Sequence, residues 1–391
     1  MKNLSESRVL IVDDVKANVD LLVQALRDNY RISVALNGEA ALRSVEKNPP
    51  DLLLLDIVMP GIDGYDICRR LRSHAKTREL PIMFLSSLED VRDKTRGFEA
   101  GGTDYLTKPF EILEVKARVR SLLKAKAYSD EIKERIGTEL RIAREIQMGL
   151  LPADVAAVTQ KSRLDIFSLL EPTQEIGGDF YDVNLLDDGR VLAVVGDVSG
   201  TGIPAALFMA ITMTLIRSAA RQFTFPDQIM RYVNTALYAH NPRGMFVTLF
   251  CGIIDMATMT MCYANAGHPS PVLLRPGEAP SVPFDATSIP IGVFNAVDTE
   301  ARLVDIRPGD GVVIYTDGVT EAFNDTGVMF AEEGLIASLA TAAGKNAAVM
   351  ASCLRHAVRQ HVGSHPQSDD LTILALVCPL KQQPKPDEVH S

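Results

Sequence analysis

The sequence predicts two folded domains of different class: an α/β domain in the first 125 residues and an α+β domain in residues 153–379. In the first region, short apolar runs alternate with amphipathic stretches, which is typical of a doubly wound parallel sheet. In the second, strand-like segments are joined by hairpin turns such as Asp188–Gly189. Between them, the chain from about Glu111 to Leu150 has the periodicity of one continuous helix.

Composition and charge narrow the functional class. The 391 residues are 47% hydrophobic and 23% charged, as expected of globular domains. Residues 1–127 carry 21 basic and 19 acidic side chains, whereas the remaining 264 residues carry 19 basic and 31 acidic ones. An acidic second part with no basic stripe argues against nucleic-acid binding and suits a metal or a protein partner better.

The start of the chain and its cysteines indicate a cytoplasmic protein. No apolar run is expected to be long enough to cross a membrane, and "MKNLSESRVLIVDD" lacks the layout of a signal peptide. The five cysteines are scattered and mostly lie in apolar segments, which disfavours both a disulfide framework and a CxxC metal site.

The first domain is predicted to contain four buried strands and one weaker strand, "ISVALNG". The buried ones are "RVLIVDD" (8–14), "DLLLLDI" (51–57), "PIMFLSS" (81–87) and "DYLTKP" (104–109). Their carboxyl ends, where ligands bind in such sheets, carry Asp13, Asp14, Asp56, Ser86 and Lys108. Converging carboxylates favour Mg²⁺, and a lysine with a small hydroxyl suits a phosphoryl group.

The motifs "VDD", "DIVMPGIDGYD", "LSS" and "KPF" occur in register, and residues 5–125 resemble a CheY-like response-regulator receiver domain. The resemblance implies that Asp56 accepts a phosphoryl group from a histidine kinase. It also implies an Mg²⁺ site, phosphoryl contacts and a switch aromatic. The Mg²⁺ ligands would be Asp13, Asp14, Asp56 and the backbone carbonyl of Val58; Ser86 and Lys108 would contact the phosphoryl group, and Tyr105 would be the switch residue.

Residues 126–152 are predicted to be a helical linker with one narrow apolar stripe. Its members are Ile132, Ile136, Leu140, Ala143, Ile146 and Leu150, with Gly137 as a weak point. The helix either packs on its own domain or forms a short two-chain coiled coil that joins the domains of a homodimer. The narrow stripe and the lack of a loop favour the coiled coil. Residues 380–391 are predicted to be a disordered tail.

The second domain has two helical stretches, 203–221 and 227–240, of which the first is apolar on most faces and is expected to be buried. It also has repeated aspartates beside glycines or at strand ends. They are Asp179 in "EIGGDFYDV", Asp197 in "GDVSGTG", Asp317 in "TDGVTEA", and Asp369 and Asp370 in "SDDLT". Acidic ligands in motifs without a ligand histidine or cysteine indicate hard cations. Two such ions could activate water for in-line attack on a phosphate ester.

In this order, "IGGDFYD", "GDVSGTGIPAALFMA", "NAGHPSP", "TDGVTEA" and "DDLT" resemble the PPM-type (protein phosphatase 2C-like) phosphatases of the SpoIIE/RsbU group. The resemblance implies a β-sandwich flanked by helices and two Mg²⁺ or Mn²⁺ ions. Asp197 would bridge both ions, Asp179 and the Val198 carbonyl would complete one site, and Asp317 and Asp369 the other. Asp370 is the weaker choice of ligand, and Asp182 is expected to be structural.

Asn265 and His268 belong to the "NAGHPSP" motif. His268 could serve as a general acid, but a polar residue that closes a hairpin turn is favoured. These motifs supply no arginine to bind phosphate, so the metals and protein contacts are expected to bind the substrate.

The expected protein is a response regulator whose phosphorylation controls a metal-dependent phosphoserine/phosphothreonine protein phosphatase. By resemblance, its substrate is a phosphorylated STAS-domain anti-sigma-factor antagonist in a partner-switching pathway. The alternative is a non-catalytic adaptor that binds a sigma factor or an anti-sigma component, which the filled metal positions disfavour. The charge disfavours a DNA-binding output.

Overall fold

The computed structural model describes residues 4–86, 99–152 and 154–380. The chain divides into two compact units, Met1–Thr138 and Glu139–Ser391. The predicted domain boundaries at 125 and 152 remain predictions, because the division at 138 falls inside a helix that continues through it.

The first unit contains the predicted five-stranded parallel sheet, in the order β2-β1-β3-β4-β5. Its strands are β1 (Arg8–Val12), β2 (Arg31–Ala35), β3 (Leu52–Asp56), β4 (Ile82–Ser86) and β5 (Asp104–Thr107), and its first helices are α1 (Lys16–Leu26), α2 (Gly38–Lys47) and α3 (Gly64–Ser73). A short 3-10 turn, Leu4–Glu6, precedes β1. Strand β3 is buried on both faces, which is why its sequence reads as an unbroken leucine run. The parallel arrangement brings the ends of β1, β3, β4 and β5 to one edge.

Helix α4 (Ile112–Leu150) is continuous over 39 residues, as predicted. Near its start, Val115, Val119 and Leu123 recur at helical spacing and pack into the core of the first unit. Farther along, Ile132, Ile136 and two other isoleucines, Ile142 and Ile146, are more than half exposed. Three members of the predicted stripe, Ile132, Ile136 and Ile146, are thus exposed, whereas Leu150 packs against the core of the second unit, and the coiled coil remains a prediction.

The second unit is a sandwich of two antiparallel sheets, in the orders β12-β10-β9-β8-β7 and β11-β13-β14-β6. The strands are β6 (Asp165–Glu171), β7 (Phe180–Leu185), β8 (Val191–Val198), β9 (Val247–Asp255), β10 (Thr260–Ala266), β11 (Val272–Leu274), β12 (Arg302–Asp305), β13 (Gly311–Tyr315) and β14 (Leu371–Val377). Alternate residues of β8 face the two sides of its sheet. Val191, Ala193 and Val195 pack between the sheets, whereas Leu192 and Val194 pack toward the helices.

Six helices follow α4 in the described part of the chain. They are α5 (Val155–Ser162), α6 (Gly202–Ala220), α7 (Pro226–Ala239), α8 (Asp317–Thr320), α9 (Ala331–Ala340) and α10 (Ala347–Val362). Apolar residues of α6 and α7 pack on the five-stranded sheet, and those of α9 and α10 pack on the four-stranded sheet. Helices α6 and α7 were predicted from the sequence, whereas α9 and α10 were not, although Met350, Leu354 and Val358 of α10 have helical spacing.

Two expectations about α6 were wrong. The helix is not buried on most faces, because Ile203, Leu207 and Ile211, spaced one turn apart, are more than half exposed. It is also long and apolar enough, by length and composition alone, to meet the criterion for a membrane span. Core helices of soluble proteins meet the same criterion, and the other side of α6 packs on the sheet. Of the predicted disordered tail, residues 381–391 lie outside the described part of the chain.

Candidate metal centres

The first acidic cluster lies at the carboxyl edge of the parallel sheet. Asp13 follows β1 and Asp56 ends β3, and both are buried, whereas Asp14 is exposed. Oxygen atoms of these three carboxylates lie within 4.8 Å of one another. The side-chain amide of Asn18, in the first turn of α1, donates to both oxygens of Asp13, and the N–H of Val15 donates to Oδ1. Oxygen ligands at this spacing fit a magnesium ion.

Lys108 supplies a positive charge at this cluster. Its Nζ lies 2.8 Å from Oδ2 of Asp13 and 2.7 Å from Oδ2 of Asp56. Burial lowers the pKa of Lys108, but the hydrogen bonds to Asp13 and Asp56 outweigh it and the net pKa is raised. For Asp56, burial raises the pKa above its ordinary value, and Lys108 only partly opposes this. The ammonium group of Lys108 therefore offsets part of the negative charge of this cluster.

The other residues predicted for this site lie at or near the same edge. Ser86 ends β4 and is buried, and its carbonyl accepts a hydrogen bond from the N–H of Lys108. Val58 follows β3, and its backbone N–H donates to Asp56. The ring of Tyr105 packs on that of Phe84, with centroids 5.3 Å apart. The roles assigned to these residues remain predictions.

The second acidic cluster lies at one edge of the sandwich and takes residues from both sheets. In the five-stranded sheet, Asp179 precedes β7 and Asp197 lies near the end of β8, and the register of these strands places the two opposite each other. In the four-stranded sheet, Asp317 follows β13, and Asp369 and Asp370 precede β14. A small pocket is lined by Gly178, Asp197, Thr201, Asp369 and Asp370. The fold thus brings together residues 190 positions apart.

Asp179 is buried and held by two threonine hydroxyls. Thr316 and Thr372 each donate to its Oδ2 at 2.7 Å. Thr316 directly follows β13 and Thr372 lies in the neighbouring strand β14, and the N–H of Thr372 donates to Oγ1 of Thr316 at 3.0 Å. Burial, and then the charge of Asp197, raises the pKa of Asp179 well above its ordinary value. The hydroxyls therefore orient this carboxyl group without neutralising it.

Asp197 lies at the centre of the cluster. Burial, followed by the charges of Asp317 and Asp369, raises its pKa to about 7, and its carboxyl group is within hydrogen-bond reach of that of Asp179. Burial and Asp369 also raise the pKa of Asp317, whose buried Oδ1 has no hydrogen-bond partner. Within the described ranges, no lysine or arginine forms an ion pair with these aspartates. Crowded oxygen donors with an unpartnered buried oxygen fit hard divalent cations.

The two glycines before Asp179 are required by close contacts. A Cβ on Gly177 would overlap the carboxylate of Asp370, and one on Gly178 would lie 2.7 Å from the carbonyl oxygen of Val198. Oδ1 of Asp370 accepts from the N–H of Thr173, and Oδ2 accepts from that of Gly178. Asp370 thus braces the backbone that carries Asp179, whereas the side chain of Asp369 is exposed beside the pocket.

Asn265 and His268 form a buried turn. The side chain of Asn265 bonds both the N–H and the carbonyl of His268, and Nδ1 of His268 lies 3.1 Å from Oγ1 of Thr248. Burial lowers the pKa of His268 to about 3, so the ring is neutral near pH 7. The geometry favours the structural interpretation over a general acid. Asp182, expected to be structural, forms a two-pronged ion pair with Arg217 of α6.

Several residues at these sites were missed in the sequence. Thr316 and Thr372 lie within the motifs "TDG" and "DDLT", but their hydroxyls meet Asp179 only through the sandwich. Asn18 had a local signal, because it lies five residues after Asp13 in the following helix. Gln147 of α4, which contacts Gly177, had no signal beyond being a polar residue beside an apolar stripe.

Two family models match the chain. The family described as "Response regulator receiver domain" matches residues 9–120, and the family described as "Stage II sporulation protein E (SpoIIE)" matches residues 187–379. Among curated proteins, Response regulator PleD of Caulobacter vibrioides is 41% identical over 130 residues, or 33% of this chain and 29% of PleD. Protein IcfG of Synechocystis is 27% identical over 290 residues, or 67% of this chain and 44% of IcfG. The chain thus spans less than half of each relative.

Solved structures support the fold of the second unit. The SiaA-PP2C domain of Pseudomonas aeruginosa superposes with a TM-score of 0.57 at 24% identity, covering 63% of this chain and 98% of that one. The PP2C phosphatase domain of SpoIIE from Bacillus subtilis gives 0.50 at 18% identity, covering 56% and 63%. The parallel sheet and the helix-flanked sandwich agree with these assignments, and the chain therefore joins a response-regulator receiver domain to a phosphatase domain of the SpoIIE family.

Proposed function

We propose that this protein is a response regulator in which phosphorylation of Asp56 controls a metal-dependent phosphoserine/phosphothreonine protein phosphatase. The observation that carries the proposal is the convergence of Asp179, Asp197, Asp317 and Asp369 from two sheets, with no basic side chain paired to them in the described ranges. Repulsion between these carboxylates destabilises the fold unless cations bind. In a hydrolase, such cations activate the attacking water molecule.

The residues of the chain have distinct roles in this proposal. Asp197 would be shared by two ions, Asp179 and the carbonyl of Val198 would complete one site, and Asp317 and Asp369 the other. When bound, two Mg²⁺ or Mn²⁺ ions would activate a water molecule and offset the charge of a phosphate ester. Thr316 and Thr372 keep Asp179 oriented, and Asp370 keeps the backbone before it in place.

In the receiver domain, Asp56 would take the phosphoryl group from a histidine kinase, with Mg²⁺ held by Asp13, Asp14, Asp56 and the carbonyl of Val58. Lys108 already contacts Asp56 and would pair with the phosphoryl oxygens. The hydroxyl of Ser86 would donate a hydrogen bond to the same group. Tyr105, the switch residue, would change its position when Asp56 is phosphorylated.

The proposed substrate is a phosphorylated STAS-domain anti-sigma-factor antagonist, so the pathway would be partner switching in the cytoplasm. The match to the SpoIIE family supports this substrate class. The exposed isoleucines of α4 support a homodimer joined by a coiled coil, through which the state of Asp56 would reach the phosphatase.

The test measures the release of phosphate from a phosphorylated STAS-domain protein. With Mg²⁺ present, beryllofluoride, a phosphoryl mimic, should raise the rate for the wild type and leave it unchanged for Asp56→Ala. Equal rates for both proteins in all conditions would contradict the regulation but not the enzyme. Stable binding of the substrate without phosphate release, in Mg²⁺ and in Mn²⁺, would favour the adaptor instead.

A further inference from the structure

We propose that Gln147 of helix α4 is a positioning residue for the metal site, which it acts on through the backbone of Gly177. The inference rests on the proposed phosphatase function and names the contact through which α4 reaches the site. Gln147 is buried, although the residues on either side of it, Ile146 and Met148, are exposed. A buried polar side chain in this otherwise solvated part of α4 needs a specific partner.

The partner is a single residue, Gly177. Nε2 of Gln147 donates to the carbonyl of Gly177 at 2.7 Å, and the N–H of Gly177 donates to Oε1 of Gln147 at 3.3 Å. Nε2 also lies 3.8 Å from Sδ of Met209 in α6. One side-chain amide thus satisfies both polar backbone groups of a buried glycine, in the way that a neighbouring strand would.

Gly177 is two residues before Asp179, and the intervening Gly178 is held from the other side. Its N–H donates to Asp370 at 3.1 Å, and the carboxyl of Asp179 is fixed by the hydroxyls of Thr316 and Thr372. Three of the groups that hold this segment, Asp370, Thr316 and Thr372, therefore lie in the four-stranded sheet or directly next to its strands. Gln147 differs from them because it belongs to the long helix.

A second contact fixes the end of α4 on the other side of Asp179. The carbonyl of Leu150 accepts from Nη2 of Arg217 at 2.8 Å, and the same guanidinium pairs with Asp182, which lies three residues after Asp179. A turn or shift of the helix end would thus pull on the chain both before and after Asp179. Displacing Asp179 by a fraction of an ångström should weaken metal binding at the site. Removing residues that hydrogen-bond to a metal ligand, without binding the metal themselves, has this effect in other metal sites.

The direct test replaces Gln147 by methionine, which keeps the length and helix propensity of the side chain but cannot form either hydrogen bond. Manganese binding to the full chain is measured by calorimetric titration, and hydrolysis of p-nitrophenyl phosphate is measured as a function of Mn²⁺. We expect the Kd for Mn²⁺ at the phosphatase site to rise by about tenfold. At saturating Mn²⁺, kcat should return to within about twofold of the wild type, and the KM for the ester should not change.

Gln222→Leu is the matched control, because this glutamine bonds only a carbonyl of its own helix end, on the surface. Should Gln147→Met not fold, Gln147→Asn retains the amide but is one methylene too short to reach Gly177, and the same loss is expected. Wild-type Mn²⁺ affinity in a folded Gln147 variant would overturn this inference alone. A wild-type protein that binds no Mn²⁺ at the second cluster would overturn the proposed function together with it.

Discussion

The two acidic sites of this chain differ in what offsets the repulsion between their carboxylates. In the receiver domain, Lys108 lies between Asp13 and Asp56 and offsets part of their repulsion. In the phosphatase domain, the groups that donate hydrogen bonds to Oδ2 of Asp179 are neutral hydroxyls, and the pKa of Asp197 is raised to about 7 by burial and by the neighbouring carboxylates. The first site contains the positive charge of Lys108, whereas the second must bind protons or metal ions to reduce its charge.

Because only the first cluster contains a lysine, we expect the two sites to respond differently to metal. A cluster with its own lysine stays charged and ordered without an ion, and an arriving phosphoryl group finds its counter-charge in place. A cluster without one is destabilised by its own charge, so the binding free energy of the ions also stabilises the fold. We therefore expect transient metal occupancy at the receiver site and, if the proposed function holds, resident ions at the phosphatase site.

The largest effect is expected from Asp197→Ala. This substitution removes the carboxylate proposed to be shared by both ions, so phosphatase activity should fall by about a thousandfold or more. Hydrolysis of a phosphoserine peptide in saturating Mn²⁺ measures it. Asp187→Ala, at an exposed position in the turn after β7, should keep wild-type activity. Activity in Asp197→Ala within tenfold of the wild type would contradict the assignment of this residue.

The second prediction compares wild type with Asp197→Asn in the presence of EDTA. Because the folded-state pKa of Asp197, about 7, exceeds its ordinary value of 3.8, the folded wild type binds more protons than the unfolded chain between these values. The free energy of unfolding of the wild type should therefore fall relative to Asp197→Asn from pH 4 to 7 and level off above, by up to about 4 kcal/mol. Scanning calorimetry in EDTA measures this difference. The unfolding transition of the phosphatase domain is identified beforehand as the one that added Mn²⁺ shifts.

His268 adds a pH dependence of opposite sign to the stability of each protein. Its pKa is lowered to about 3, so the neutral ring makes the fold more stable as pH rises from 3 to 6.5, the opposite trend. Both proteins carry His268, and its contribution cancels in their difference. A difference that does not change with pH would show that Asp197 is ionised in the folded protein without a metal.

The third prediction concerns Lys108→Met. Removing the ammonium group leaves the buried carboxylates of Asp13 and Asp56 without a cation, so the receiver unit in EDTA should lose about 3 kcal/mol of unfolding free energy. Mg²⁺ should restore most of this loss, because it supplies the missing charge. Denaturant titrations with and without Mg²⁺ test this, with Lys116→Met at an exposed position of α4 as the control. An equal loss in both conditions would contradict the electrostatic explanation.

How much the sequence predicted also differs between the two sites. All five strands of the receiver sheet were predicted, and its site residues follow from one rule, since parallel strands end at one edge. In the phosphatase domain, the aspartates were found by motif, but nothing local shows that Thr316 and Thr372 converge on Asp179. Pairing of β13 with β14 and packing of two sheets create that contact.

The remaining misses have the same physical origin. Gln147 and Gly177 are 30 residues apart, and a helix stripe predicts which face is apolar but not which polar side chain beside it will be buried. The exposed face of α6 was misread because composition cannot distinguish an apolar helix packed on both sides from one packed on one side. Local patterns predict elements, whereas tertiary contacts decide the role of a residue within them.

The smallest effect is expected from Thr316→Val, which preserves the β-branched shape but removes one of the two hydroxyls that hold Asp179. The affinity of the phosphatase site for Mn²⁺ should fall by about tenfold, or about 1.4 kcal/mol, as for other partners that orient a metal ligand. Thr214→Val is the matched control, because this hydroxyl bonds only a carbonyl of α6 on the surface. Since Lys108 rather than a threonine sets the carboxylates of the other cluster, the Mg²⁺ affinity of the receiver domain should not change in the same protein. Equal losses at both sites would mean that the substitution acts through general destabilisation, and the contrast between the two sites would then fail at this residue.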